Sequence, residues 1–238
     1  MDIILLHGWG RGAESFQKIS ELLSEKGFKA HYFDFPGFGK ALPPSSAWGV
    51  DEYVEFVEQY VREKNIQKFF LLGHSFGGKV AAKLAIRSPK KIMGLVLYAA
   101  AAIKPKPKAK NLIFLAAAKA GKVIFALPGL SWAARHARRL LYRLAGSSDY
   151  HRAQGIMKEV FKKTIAEDLT PILKNISVPT LIVWGDADRT TPIDQGIVMR
   201  NAISGAEWYV AEGRGHSWHV TEPKKFAEAI LPFLKRHQ

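Results

Sequence analysis

The chain is predicted to fold as an α/β protein around a largely parallel sheet. Two observations predict it. Short apolar runs of strand length alternate with longer amphipathic stretches of helical period along most of the 238-residue chain. In addition, the run Gly73-His74-Ser75-Phe76-Gly77 falls where one such strand ends and the next helix begins. A serine on so sharp a strand-to-helix turn is held in strained backbone geometry with its hydroxyl presented outward.

Taken in order, Ile3–Leu6 reads as a strand and 13–26 as a helix, with Phe16, Ile19, Leu22 and Leu23 on one face. Residues 30–33 form the second strand. Residues 51–64 form a helix whose Val54, Val57 and Val61 point inward and whose first turn is acidic, as the helix dipole favours. Residues 68–72 are a strand, followed after the serine turn by a helix over 79–87. Residues 92–98, 178–184 and 207–210 read as three more strands, and 223–234 as a closing helix. The rhythm breaks between about 103 and 173. There a stiff, charged Lys104-Pro105-Lys106-Pro107-Lys108 linker leads into helical stretches near 110–126, 131–144 and 149–165. The expected division is therefore a core of 1–102 and 171–238 with a helical insertion over 103–170.

Composition narrows the chemistry. With no cysteine, disulfides, thiolate metal sites and a cysteine nucleophile are excluded. The start Met1-Asp2-Ile3-Ile4 has an acid where a secretory signal needs a base, so a cytoplasmic location is expected. The net charge of +14 is concentrated: residues 101–163 hold 14 Lys/Arg against 2 Asp/Glu. Such a field attracts anionic ligands or lipid surfaces, or simply solvates a face. The segment has no recognisable nucleic-acid motif, so no nucleic-acid partner is expected. No metal is implied, because the histidines lack ligand spacing apart from a bare His216/His219 pair. Gly8-Trp9-Gly10-Arg11-Gly12 has the wrong spacing for a dinucleotide fingerprint, so no cofactor is implied either.

A serine hydroxyl needs a base to take its proton and an acid to orient that base. Two loops that follow strands carry candidates: Gly185-Asp186-Ala187-Asp188, and Gly215-His216-Ser217-Trp218-His219. With His7-Gly8-Trp9-Gly10, Asp34-Phe35-Pro36-Gly37-Phe38-Gly39, Gly73-His74-Ser75-Phe76-Gly77-Gly78 and Glu222-Pro223, these motifs make the chain resemble the α/β-hydrolase fold family, in its serine carboxylesterase and lipase-like branch with a helical cap. The resemblance implies Ser75 as nucleophile, His216 as general base and Asp188 as the acid, with Asp186 and His219 as the rivals. It implies the backbone N–H groups of Trp9 and Phe76 as oxyanion donors, and a structural turn at Asp34. It places the insertion over the active site as a cap, where residues such as Phe114, Phe125 and Trp132 are candidates to face substrate. Relatives have two strands ahead of the one ending in His-Gly, and His7 comes too early for them. The expectation is a trimmed six-stranded sheet in the order 2-1-3-4-5-6.

The activity implied is hydrolysis of a carboxylic ester through an acyl-enzyme. Lactone or C–C bond hydrolysis by the same triad is the alternative, and a non-catalytic ligand-binding or interaction protein on the same scaffold is the alternative of another class. The expected partner is a small-molecule ester, for which the basic cap leaves open an anionic or lipid-like kind. Weak contact of that cap with a membrane surface is a second expectation.

Overall fold

The computed structural model describes residues 1–104 and 153–238. Six strands form one sheet: β1 (Asp2–Leu6), β2 (Lys29–Tyr32), β3 (Phe69–His74), β4 (Ile92–Tyr98), β5 (Thr180–Gly185) and β6 (Glu207–Ala211). Their order is β2-β1-β3-β4-β5-β6, as expected from the sequence. All five pairings are parallel; in the centre Ile3 lies opposite Phe70 and Leu5 opposite Leu72. Strands covered on both faces need unbroken apolar runs. Ile3 to Leu6 and Leu95 to Tyr98 are accordingly all fully buried.

The helices are α1 (Gln17–Ser24), α2 (Val50–Glu63), α3 (Phe76–Arg87), α4 (Ile156–Ala166), α5 (Ile193–Ala202), α6 (Trp218–Thr221) and α7 (Pro223–Arg236). α2 presents Val50, Tyr53, Val54, Val57 and Val61 to the core, a clean helical stripe. It packs on α3, while α1 packs on α7. That split follows from right-handed crossovers: the step from β1 to β2 runs opposite to every later one.

Three expectations need correction. The helix read over 13–26 is a short 3₁₀ turn at Ala13–Phe16 followed by α1, and Leu22 is half-buried rather than inward. α1 stops before Gly27, whose φ of +86° lets the chain reverse into β2. α5 falls in a stretch to which no element was assigned, and α6 begins within the loop read around His216. Of the three helical stretches expected in the insertion, the last is seen as α4; the other two, and Phe114, Phe125 and Trp132, lie outside the described residues. Among the described residues, no helix is long and apolar enough to cross a membrane.

Candidate active site

The site gathers at the carboxyl ends of β1, β3, β5 and β6. Ser75 follows β3 with φ +53° and ψ −114°, a conformation that L-residues rarely adopt and that costs roughly 1–3 kcal/mol. Neighbours hold it there. The Ser75 N–H donates to the Tyr98 carbonyl (3.0 Å), and its own carbonyl accepts from the N–H groups of Ala101 (2.9 Å) and Lys79 (3.2 Å). The glycines leave the room this turn requires. A Cβ at Gly77 would collide with the Leu6 carbonyl, and one at Gly78 would stand 2.5 Å from Ala100 Cβ. α3 therefore lies against β1 and the end of β4, with Phe76 as its first residue. The N–H of a first helical residue has no acceptor within its own helix and sits at the positive end of the dipole.

The loop after β1 approaches the same point. A Cβ on Gly8 would stand 3.1 Å from Ser75 Cβ and 2.9 Å from His74 Nδ1. His7 builds this loop from beneath. Fully buried, it donates from Nδ1 to the Gly8 carbonyl (2.9 Å) and accepts at Nε2 from the Phe35 N–H (3.0 Å). Burial pushes its pKa down, against the pull of that carbonyl, Asp34 and Glu14, which fits the neutral tautomer these bonds require. Asp34 accepts from the N–H of Ala13 (2.6 Å) and of Lys40 (2.9 Å), tying two loops together. Trp9 then packs edge-on to Phe38, Phe76 and Phe161.

His216 and Asp188 meet. The His216 Nδ1–H donates to Asp188 Oδ2 at 2.7 Å, which leaves Nε2 as the basic nitrogen. Asp188 Oδ1 accepts from the N–H groups of Thr190 (2.8 Å) and Thr191 (3.0 Å), while the Thr191 hydroxyl lies 2.9 Å from Oδ2. Burial acts to raise the Asp188 pKa. The His216 contact and the Thr191 donors outweigh it, so the carboxyl is held below its usual range. The rivals are placed elsewhere. Asp186 accepts from the Gly213 N–H (2.7 Å), joining the two loops. His219 is buried against Phe16, His74, Tyr98 and Phe226, with no hydrogen-bond partner at either ring nitrogen. Burial, then the neighbouring His216 and Arg11 charges, pushes it down to about 3.

Two contributors, Thr191 and Tyr98, were absent from the sequence reading, and a third, His74, was read only as a packing or hydrogen-bonding residue of the serine turn. Thr191 buttresses the acid, and the Asp188-to-Thr191 spacing, an Asx-turn pattern before Pro192, is the signal that marks it. Tyr98 Oη and His74 Nε2 both donate to the His216 carbonyl, at 2.9 and 2.8 Å. These two bonds fix the main chain of the histidine. Nothing local to residue 98 announces its contact with residue 216.

Beside Trp9 lies a cavity of about 340 Å³ whose described lining includes Phe38, Pro43, Ala153, Gln154 and Met157, none of it charged. A larger groove of about 530 Å³ runs between β6 and α7 and contains none of the candidate site residues. Among the described residues, no group of three or more His, Asp or Glu side chains is placed to hold a metal ion.

Comparison with known proteins identifies the fold and the family. The family model described as alpha/beta hydrolase fold matches residues 3–223. A 2-hydroxy-6-oxononadienedioate/2-hydroxy-6-oxononatrienedioate hydrolase of Klebsiella pneumoniae is 27% identical, across 98% of this chain and 87% of its own length. A bacterial membrane phospholipase A superposes with a TM-score of 0.75 and 25% identity, over 98% of this chain and 78% of that one. An esterase from Exiguobacterium antarcticum superposes with a TM-score of 0.75 and 22% identity, over 99% and 92%, a likeness of fold.

Proposed function

The chain belongs to the α/β-hydrolase fold family and is a hydrolase, and from that premise we propose that it cleaves carboxylic esters through Ser75, His216 and Asp188. The observation that carries the reading is the 2.7 Å bond from His216 Nδ1 to a buried Asp188 on the same sheet rim as the strained Ser75. With Nδ1 occupied, His216 Nε2 accepts the Ser75 proton as Oγ attacks the ester carbonyl. Asp188 stabilises the imidazolium without itself taking the proton. The N–H groups of Trp9 and Phe76 receive the oxyanion, and losing one such donor typically costs about 10²–10³ in rate. His216 returns the proton to the departing alcohol, and water repeats the sequence on the acyl-enzyme.

The uncharged cavity beside Trp9 supports an apolar acyl or alcohol group as what the site accepts. The name of the phospholipase neighbour supports an ester with a long chain. We further propose residues 103–170 as a cap over this site and 1–102 with 171–238 as the core. The basic excess of that cap would then favour anionic or lipid-like esters and weak contact with a membrane surface.

The test is a fluorophosphonate probe followed by a panel of p-nitrophenyl esters of graded acyl length, with lactones and a vinylogous diketone alongside. Labelling of the wild type but not of Ser75→Ala, with ester turnover above lactone and diketone turnover, is expected. A folded wild type that the probe does not label removes the serine-hydrolase reading. Dominant diketone cleavage replaces the ester with a C–C bond.

A further inference from the structure

Lys79 stands out because the mechanism does not use it. It lies on α3 one turn past Ser75, among Val80, Ala81, Ala82 and Leu84, and is 3% exposed. Lysines are almost never so buried without a partner. Its partners here are not side chains. Nζ donates to the Thr164 carbonyl at 2.8 Å and to the Glu167 carbonyl at 2.7 Å. Thr164 is in the last turn of α4 and Glu167 is its C-cap, so both carbonyls belong to a helix end that lacks internal donors. A cation there also meets the negative end of the helix dipole. Lys83, one turn further along α3, pairs with the Glu167 and Asp51 carboxylates. Lys163 of α4 itself donates to the Ala47 carbonyl.

The other end of α4 contributes Met157 to the wall of the cavity. Phe161 meets the Trp9 ring at 4.8 Å, and Met157 sits where a side chain on Gly37 would have to be. Met157 and Thr164 are two helical turns apart, about 10 Å. Building on the ester reading above, we propose that Lys79 is a positioning residue: it clamps the C-terminal end of α4 to the helix that follows the nucleophile, and so fixes where Met157 stands in the wall of the chain-binding cavity and where Phe161 braces Trp9 beside it. It touches no reacting atom. Its effect falls on substrates that fill the cavity and spares those that do not reach it.

The experiment compares Lys79→Met, nearly isosteric but without donors, Lys79→Gln, shorter and uncharged, and Lys79→Arg, which keeps charge and donors, with wild type. Steady-state kinetics are measured on p-nitrophenyl acetate and octanoate, and fluorophosphonate labelling and amide hydrogen exchange of residues 156–166 on each protein. Lys79→Met is expected to raise KM for octanoate by about tenfold, to change acetate kcat/KM by less than about threefold, and to speed exchange in α4. Lys79→Arg is expected to restore octanoate KM. Equal losses on both esters, or unchanged α4 exchange, overturn the proposal. So does failure of Lys79→Met and Lys79→Gln to fold while Lys79→Arg folds, which makes the residue one of global stability. Absence of labelling in folded wild type defeats the ester reading instead, and α4 exchange still reports on the clamp.

Discussion

Tyr98 Oη donates a hydrogen bond to the main-chain carbonyl of His216, joining residues 118 positions apart in sequence. His74 Nε2 donates to the same oxygen, and burial with the neighbouring His219 and His216 charges keeps His74 neutral. The base is thus held from behind by two donors. Tyr98→Phe removes one of them and leaves the ring. It is expected to cost about 1 kcal/mol in urea denaturation. It should also lower kcat on a p-nitrophenyl ester by up to about tenfold at unchanged KM. A loss confined to KM would show that Tyr98 serves binding rather than placement of His216.

The two aspartates of the loop after β5 should separate cleanly. Asp188→Asn leaves the shape but offers His216 the wrong partner, and a drop of about 10⁴ in kcat is expected. Asp186→Asn keeps a side-chain oxygen for the Gly213 N–H and should stay within about twofold of wild type. Steady-state kinetics on the same ester decides, and a larger loss in Asp186→Asn than in Asp188→Asn would reverse the assignment.

Acid stability should be governed by buried histidines. Burial holds His7, His74 and His219 neutral in the folded protein, His219 down to about 3. Their unfolded forms take up a proton near pH 6.5. The folded values being depressed, the unfolded state binds more protons below that pH. Stability is therefore fully present above about 6.5 and declines as pH falls, by up to about 1.4 kcal/mol per pH unit for each group. Asp188, also depressed, adds its loss only below the ordinary carboxylate range near 4. His219→Leu should flatten the dependence of the urea midpoint between pH 6.5 and 4.5. An unchanged slope would mean that His219 takes up no extra proton on unfolding.

Close approach of α3 to β1 predicts a sharp difference between two glycines. Gly77→Ala places a methyl group against the Leu6 carbonyl and should cost about 3 kcal/mol or more, or prevent folding. Gly205→Ala meets nothing within 4 Å and bears only its positive φ, a cost of about 1 kcal/mol. Urea denaturation of both variants checks the order.

The strands were legible because doubly covered parallel strands need apolar runs, and Ile3–Leu6 or Leu95–Tyr98 can hardly be read otherwise. α5 was not legible because its apolar residues form no continuous stripe: Ile197 and Val198 are exposed, and the buried positions are Met199 and a glycine, Gly196, lying against the Trp184 and Trp208 rings. α6 is a single turn, too short for any period to register. In the candidate site, glycine–acid and glycine–histidine punctuation after strands marked the two loops, and the family resemblance pointed within them to Asp188 and His216. Tyr98 and Lys79 act on residues 118 and 85 positions away, and such contacts leave no local pattern. A lysine inside Gly78-Lys79-Val80-Ala81-Ala82 was nonetheless a visible anomaly.

The bonds around Ser75 bear on transplantation. Its φ of +53° is secured by the carbonyl of Tyr98 and the N–H of Ala101, both supplied by the end of the next strand, and by the α3 turn that reaches Lys79. The pentapeptide at 73–77 is therefore not a portable cassette. Grafted onto another sheet without the β4 terminus, the serine would relax into an ordinary conformation and withdraw its hydroxyl. A minimal graft must bring Phe69 through Ala101 as one piece.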